Sequence, residues 1–270
     1  MGPDTEVMVR SMHTARAIGP LLRGWRERRR QTQLGLSLDT GISSRHLSFL
    51  ETGRARPSRE MVLRLAERLD VPLRAQNELL LAAGFAPEYN ERGLDDAALA
   101  QARRAIELVL QGHLPFPALA VDQRWTLIMA NAASTALMSG VAPALLASPV
   151  NVLRLSLHPD GVAPRIVNLA QWRSHVLSRL QHQLDVTADP MLGDLLAELA
   201  AYPAPPSRDV SGADHGDFVV PLILRTDGGQ LSFFSTTTVF GTPRDVTLAE
   251  LAIEAFYPAD RATAAALGGP

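Results

Sequence analysis

The residues best suited to chemistry cluster between Thr32 and Arg59, in the run TQLGLSLDTGISSRHLSFLETGRARPSR. Ser44, Arg45, His46 and Ser48 fall together at the start of a short amphipathic stretch. Hydroxyl, imidazole and guanidinium groups on one exposed helix N-terminus are the groups that reach base edges and phosphates in a major groove. Arg54 and Arg56 follow beside a turn, where they would meet a phosphate backbone. Two short helices must hold these side chains. Thr32 is placed to cap a helix beginning at Gln33, with Leu36 and Thr40 sharing its inward face at i and i+4. Gly41 permits a turn, Ile42 plugs the space between the helices, and Ser43 caps a second helix whose apolar side is Leu47 and Leu50. Ser58 then caps the next helix. A plain helical hairpin with a solvated polar face needs no such ordered series of cap, turn glycine, plug and basic exit loop. Double-stranded DNA is therefore the expected partner. The candidate contacts are Gln33, Ser43, Ser44, Arg45, His46, Ser48, Arg54, Arg56, Ser58 and Arg59.

Charge distribution supports the same partner. The 270-residue chain has a formal net charge of −2, which by itself argues weakly against nucleic acid. Between Thr14 and Pro72, however, twelve Arg stand against six Asp and Glu, so the cation excess is confined to the proposed DNA-binding segment. All 26 basic residues are Arg, and each phosphate contact would be made by a planar fork. The absence of Cys excludes disulfides, iron–sulfur clusters and thiol redox sensing. No apolar run reaches the length of a membrane span, and the first residues lack a signal-peptide core, so no membrane association and a cytoplasmic location are expected.

A chain of this length with 46% apolar residues suits two domains. Residues 1–13 read as a disordered arm, 14–92 as the all-α DNA-binding domain and 93–270 as an α+β domain opened by a linker helix. The first domain begins with a helix bearing Ile18, Leu21, Leu22 and Trp25, and its fourth helix bears Val62, Leu65, Ala66 and Leu69. A fifth, Leu73 to Ala83, ends at Gly84 and Pro87. In the second domain a helix over 95–112 precedes two short strands, 118–122 and 125–130, with Asn131 capping the helix after them. Helical patterns fill 141–156 and 164–201, parted by the turn HPDG, and a Pro-rich loop follows. Two strands flanking Asp227-Gly228-Gly229 form a hairpin. The segment TLAELAIEAFYP reads as a final strand, because Leu251, Ile253 and Ala255 alternate with Glu250, Ala252 and Glu254.

From about Ala17 to Leu73 the chain resembles the lambda-repressor-like helix-turn-helix of Xre/Cro-type bacterial regulators. The resemblance makes Gln33 a phosphate contact, Ser44, Arg45 and His46 base-reading positions, and Arg26 with Glu51 the pair tying the first helix to the third. Ser37 departs from the usual Ala where two helices cross, a nearly isosteric change. Gly35, inside the second helix, costs roughly 1 kcal/mol against Ala. From Asn77 to Asp260 the chain resembles the PAS-like, MmyB-like ligand-binding domain of bacterial transcription regulators. That likeness rests on NELLLAAGFAPEY, FPALAVDQRWTLIMANAA, LHPDG, the stretch Asn168 to Trp172, and FFSTTTVFGTPRDVTLAELAIEAFYPAD.

The resemblance implies a cavity between sheet and helices and an apolar small-molecule effector, a fatty-acid-like one included. Candidate wall residues are Trp125, Leu127, Met129, Trp172, Phe218, Phe233, Phe234 and Phe256, each of which has plain core packing as its alternative. Arg154, His158 and Asn168 are the polar candidates for a carboxylate or carbonyl, although HPDG also reads as an ordinary type I turn. His175 and His182 share a helix face, but no carboxylate or thiol joins them at ligand spacing, so neither metal nor cofactor is expected. A hydrolase finds no nucleophile elbow or phosphate loop here. The expected protein is a non-enzymatic transcription regulator, a homodimeric repressor of a palindromic operator modulated by an apolar effector. The alternative is a DNA-binding protein whose C-terminal domain serves only dimerisation or protein contacts.

Overall fold

The protein, described by a computed structural model covering residues 17–203 and 220–269, divides after Asn90 into two compact units. The expected N-terminal arm, Phe218 and most of the Pro-rich loop lie outside the described residues.

The first unit is built from five helices, α1 (Ile18–Arg28), α2 (Gln33–Thr40), α3 (Ser44–Glu51), α4 (Arg59–Arg68) and α5 (Leu73–Ala82). Local chemistry sets their ends. The side-chain oxygens of Thr32, Ser43 and Ser58 accept from the backbone N–H of Gly35, His46 and Met61, satisfying one orphan donor at the start of each of α2, α3 and α4. Gly41 closes α2 at φ 70°, a left-handed conformation costly for residues with a Cβ. Leu22, Leu36, Leu47, Leu50, Leu65 and Leu79 are all fully buried and form one core between the helices. Gly19 lets α1 meet the end of α3 backbone to backbone: a Cβ there would stand 2.5 Å from the Glu51 carbonyl oxygen. Arg29 folds back and donates to the carbonyls of Leu69 (2.8 Å) and Asp70 (2.7 Å), satisfying orphan acceptors at the end of α4.

The second unit is α+β, as expected. After a short 3₁₀ turn comes α6 (Ala100–Gly112), then β1 (Ala118–Val121), β2 (Leu127–Ala130), α7 (Ala132–Leu137), α8 (Val152–Leu157), α9 (Leu169–Thr187) and α10 (Pro190–Ala201). The chain finishes with β3 (Leu222–Thr226), β4 (Gly229–Val239), α11 (Val246–Ala249), β5 (Ala252–Pro258) and α12 (Arg261–Ala266). The five strands form one antiparallel sheet in the order β2-β1-β5-β4-β3.

Because β1, β5 and β4 lie inside the sheet, alternation sends their side chains into two different cores. Leu119, Val121, Leu231 and Phe233 pack with Trp172, Val176 and Leu180 of α9 and with α10. Ala118, Ala120, Leu251, Ile253 and Ala255 pack against Ile106 and Leu110 of α6 on the opposite side. Asn131, wholly buried, ties the layers together. Its Oδ1 accepts from the N–H groups of Ala118 (3.1 Å) and Ser134 (3.0 Å), and its Nδ2 donates to the carbonyls of Leu110 (3.1 Å) and Phe116 (2.8 Å).

Several boundaries differ from the sequence reading. The second strand starts at Leu127, because Trp125 takes φ 64° and turns the chain before the ladder begins. The helix expected over 164–201 is two helices: Ala188 adopts φ 60° and Asp189 caps the Met191 N–H with Pro190 in the first turn of α10. The pattern over 141–156 resolves into a 3₁₀ turn, Pro143–Leu146, and the short α8. The last expected strand opens with a helical turn, α11, capped by Asp245, and becomes strand only from Ala252. Helix α12, which no period had indicated, is capped by Asp260 and packs on the sheet.

Candidate nucleic-acid interface and ligand cavity

In the first unit, α3 turns Leu47 and Leu50 inward, leaving Arg45 exposed and Ser44, His46 and Ser48 half-buried along its outer side. The Arg45 guanidinium lies 5.4 Å from the Phe49 ring centroid, one turn on. Ser43 keeps its hydroxyl on the His46 N–H at 3.2 Å, so the residue acts locally as a cap. Beyond α3, the Arg54 N–H donates to the Phe49 carbonyl at 2.8 Å, and the Arg54 and Arg56 side chains are exposed. Ser58 is the exposed cap of α4. Arg59 ion-pairs with Glu88, which offsets its charge within the unit. The strongest cationic edge next to α3 therefore consists of Arg45, Arg54 and Arg56.

Behind this surface stands a buried clamp. Arg26 of α1 donates through Nε to Glu51 Oε1 at 2.6 Å and through Nη2 to Oε2 at 2.9 Å, and its Nη1 donates to the Gln31 carbonyl at 2.8 Å. Gln33 adds Nε2 to Glu51 Oε2 at 2.8 Å. Burial pushes the Glu51 carboxyl up, but hydrogen bonds from Arg26 and Gln33 and the Arg26 charge outweigh it and hold the group below its ordinary range. The clamp joins the start of α2 and the end of α3 to α1. It places the side chain of Gln33, expected at a phosphate, on Glu51.

In the second unit a cavity of about 120 Å³ lies between the sheet and helices α7, α8 and α9. Of the expected wall residues, Trp125, Trp172 and Phe256 line it. The other described candidates are placed elsewhere. Phe233 is fully buried within the core packing and Leu127 packs against that core. Met129 and Phe234 point to the α6 face, where Met129 packs on that layer and Phe234 stacks on Tyr257 at 5.3 Å. Adjacent strand residues face opposite sides, so Phe233 and Phe234 cannot share one cavity wall.

The three polar candidates are occupied by structural roles. Arg154 forks onto Glu198 at 2.6 Å through both Nε and Nη2; these hydrogen bonds, chiefly, hold the Glu198 carboxyl down at about 2. His158 Nδ1 accepts from the Asp160 N–H at 3.0 Å, the HPDG turn, and its ring meets Tyr202 edge-on. Asn168 pins the start of α9 to β3, donating to the Pro221 carbonyl (2.7 Å) and accepting from the Ile223 N–H (3.2 Å).

Three ionisable residues of the cavity were not among the expected wall residues: His175, weighed only as a metal ligand, Arg179 and Glu254. Glu254 sits on β5, whose two faces are both covered, and its side chain is only 4% exposed. Arg179 of α9 donates to both of its oxygens, at 3.1 Å from Nη1 and more closely from Nη2, and to the Thr237 hydroxyl at 2.7 Å. That hydroxyl in turn donates to Glu254 at 2.8 Å. The guanidinium also lies over the Trp125 ring, 4.6 Å from its centroid. A signal for α9 was present: Trp172, Val176 and Leu180 form a buried stripe, and His175 and Arg179 fall one residue before Val176 and Leu180. No local signal marks the pairing of Arg179 with a carboxylate 75 residues away.

A capped, cation-edged helix in a five-helix unit, joined to an antiparallel sheet that closes an apolar cavity against helices, is the architecture of a DNA-binding transcription regulator. Residues 17–79 match the helix-turn-helix domain family. Residues 102–268 match the MmyB-like transcription regulator ligand binding domain, and the chain belongs to that family. No curated protein matches the chain. Among the described residues no helix is long and apolar enough to cross a membrane.

Proposed function

We propose that the protein is a homodimeric repressor that reads a palindromic operator through α3 and changes its operator affinity when a small apolar molecule enters the cavity. The observation that carries the DNA reading is the placement of Ser44, Arg45, His46 and Ser48 along the outer side of a side-chain-capped helix with Arg54 and Arg56 exposed just beyond it. Side chains on such a helix read base edges, and flanking arginines hold the phosphates. One helix-turn-helix covers one half-site, so useful affinity calls for two copies about one helical turn apart. Leu108 and Val109 of α6 and Val239 of β4 are exposed apolar side chains on the second unit, a surface that a second copy would cover.

The test uses the duplex that the protein selects from a random-sequence pool. Two chains per palindromic duplex are expected by light scattering; one chain on a single half-site would refute the dimer. Arg45→Ala should cost about 1–3 kcal/mol on the selected duplex and little on a scrambled one, whereas Arg54→Ala should weaken both alike. Equal losses on both duplexes for Arg45→Ala in gel-shift titrations would remove the base-reading role from α3.

A further inference from the structure

Phe49 stands on the side of α3 that faces away from the core. At about 100° per residue, Arg45 and Phe49 each fall about 160° around the helix from the fully buried Leu47, so the two share the outward side one turn apart. The Phe49 ring is half-buried there, with the Arg45 guanidinium 5.4 Å from its centroid. Among the described residues that guanidinium makes no hydrogen bond or ion pair, whereas Arg23, Arg26 and Arg59 each pair with a carboxylate. An unpaired cation lying over an outward apolar ring fits a surface that offers acceptors and an apolar group side by side.

The major groove of DNA offers that combination. Guanine presents N7 and O6 to a bidentate guanidinium, and thymine presents a C5 methyl that phenylalanine contacts. The cation–π contact restrains the long Arg45 side chain before binding, which lowers the cost of ordering it on a base. The backbone ties the same residue to the phosphate side: the Phe49 carbonyl accepts from the N–H groups of Arg54 (2.8 Å) and Ala55 (3.1 Å), anchoring the loop that bears Arg54. Reach sets the register. The four residues from Arg45 to Phe49 rise about 6 Å along the helix, and successive base pairs lie about 3.4 Å apart. The ring therefore meets a base pair no more than about two steps from the one that Arg45 reads.

We propose that Phe49 is a base-reading residue whose ring contacts the C5 methyl of a thymine within two base pairs of a guanine bound by Arg45. This rests on the reading of α3 as the recognition helix given above, and adds to it a residue and a base identity that the polar side chains do not supply.

The experiment is a fluorescence-anisotropy titration of the full-length protein with the duplex that it selects from a random-sequence pool, carrying base analogues at single positions. 7-Deazaguanine, which lacks the N7 acceptor, locates the guanine: it should weaken the unsubstituted protein at one position per half-site and leave Arg45→Ala unaffected. Deoxyuridine then replaces each thymine within two base pairs of that position, deleting the methyl while keeping every hydrogen-bonding group. One such replacement is expected to weaken binding about three- to fivefold, the ratio for one methyl group returned to water, and replacement in both half-sites about tenfold or more. Phe49→Ala should bind the thymine and uracil duplexes equally, and Arg54→Ala should keep the full difference. Should Phe49→Ala fail to fold, the deoxyuridine comparison on the unsubstituted protein still decides.

Equal binding of thymine and uracil duplexes by the unsubstituted protein, with the selected duplex still preferred over a scrambled one, would overturn the role of Phe49 and leave α3 as the reading helix. So would a selected duplex with no Arg45-dependent guanine, or with no thymine within two base pairs of it. A Phe49→Ala protein of native circular dichroism that kept the full discrimination would assign the methyl to another residue. If no duplex were preferred over a scrambled one, the recognition reading would fall and this inference with it.

Discussion

Replacing Glu51 with Ala should lower the stability of the helix-turn-helix unit by about 3–5 kcal/mol, the range for removing one partner of a buried ion pair. The Glu51 side chain is 3% exposed and accepts three hydrogen bonds, two from Arg26 and one from Gln33. Truncation leaves the Arg26 guanidinium, whose side chain is only 11% exposed, with the half-exposed Glu27 carboxylate at 3.7 Å as its remaining counter-charge, and frees the start of α2 from the end of α3. A loss of that size is a large fraction of the roughly 5–15 kcal/mol available to a typical domain. Urea denaturation followed by circular dichroism should show an early transition at a lower midpoint, and operator binding should be lost on every duplex. The double change Arg26→Met with Glu51→Leu should recover much of the stability, because replacing both charges by packed apolar groups is often neutral. An unchanged midpoint for Glu51→Ala would mean that the clamp contributes little.

Phe233→Ala is expected to cost the second unit a comparable amount, about 3–5 kcal/mol, while Phe234→Ala next to it costs far less. Phe233 is wholly buried on β4 and meets Phe256 edge-on at 6.4 Å, so its removal opens a void beside a cavity wall. Phe234 points to the other face and stacks on Tyr257, itself 37% exposed. There, solvent and the neighbouring ring can close the gap. Thermal denaturation of the two variants measures the difference. Equal losses would contradict the assignment of adjacent phenylalanines to opposite faces.

The sequence by itself determined the features whose causes are local. The caps Thr32, Ser43 and Ser58 and the turn glycine Gly41 act over three or four residues, so the helix starts around α2, α3 and α4 were legible from residue type and spacing. So was the hairpin at Asp227-Gly228-Gly229, where Thr226 pairs with Gly229 and Gly229 takes φ 123°. Alternation of Leu251, Ile253 and Ala255 indicated a strand, and it also contained the reason that Phe233 and Phe234 could not be joint wall residues. Asp189 followed by Pro190 was a legible helix start that the longer apolar period obscured.

Tertiary structure alone decided the cavity. Sheet order puts β5 between β1 and β4, and the layers of α9 on one side and α6 on the other cover both of its faces, so Glu254 is buried and needs a cation. Arg179, on a helix 75 residues earlier, reaches it only because α9 crosses that face of the sheet. The same packing places His175 on the wall of the apolar space. Periodicity reports which side of an element is buried. Which groups meet across that buried side depends on the arrangement of elements distant in the chain, and no local pattern encodes it.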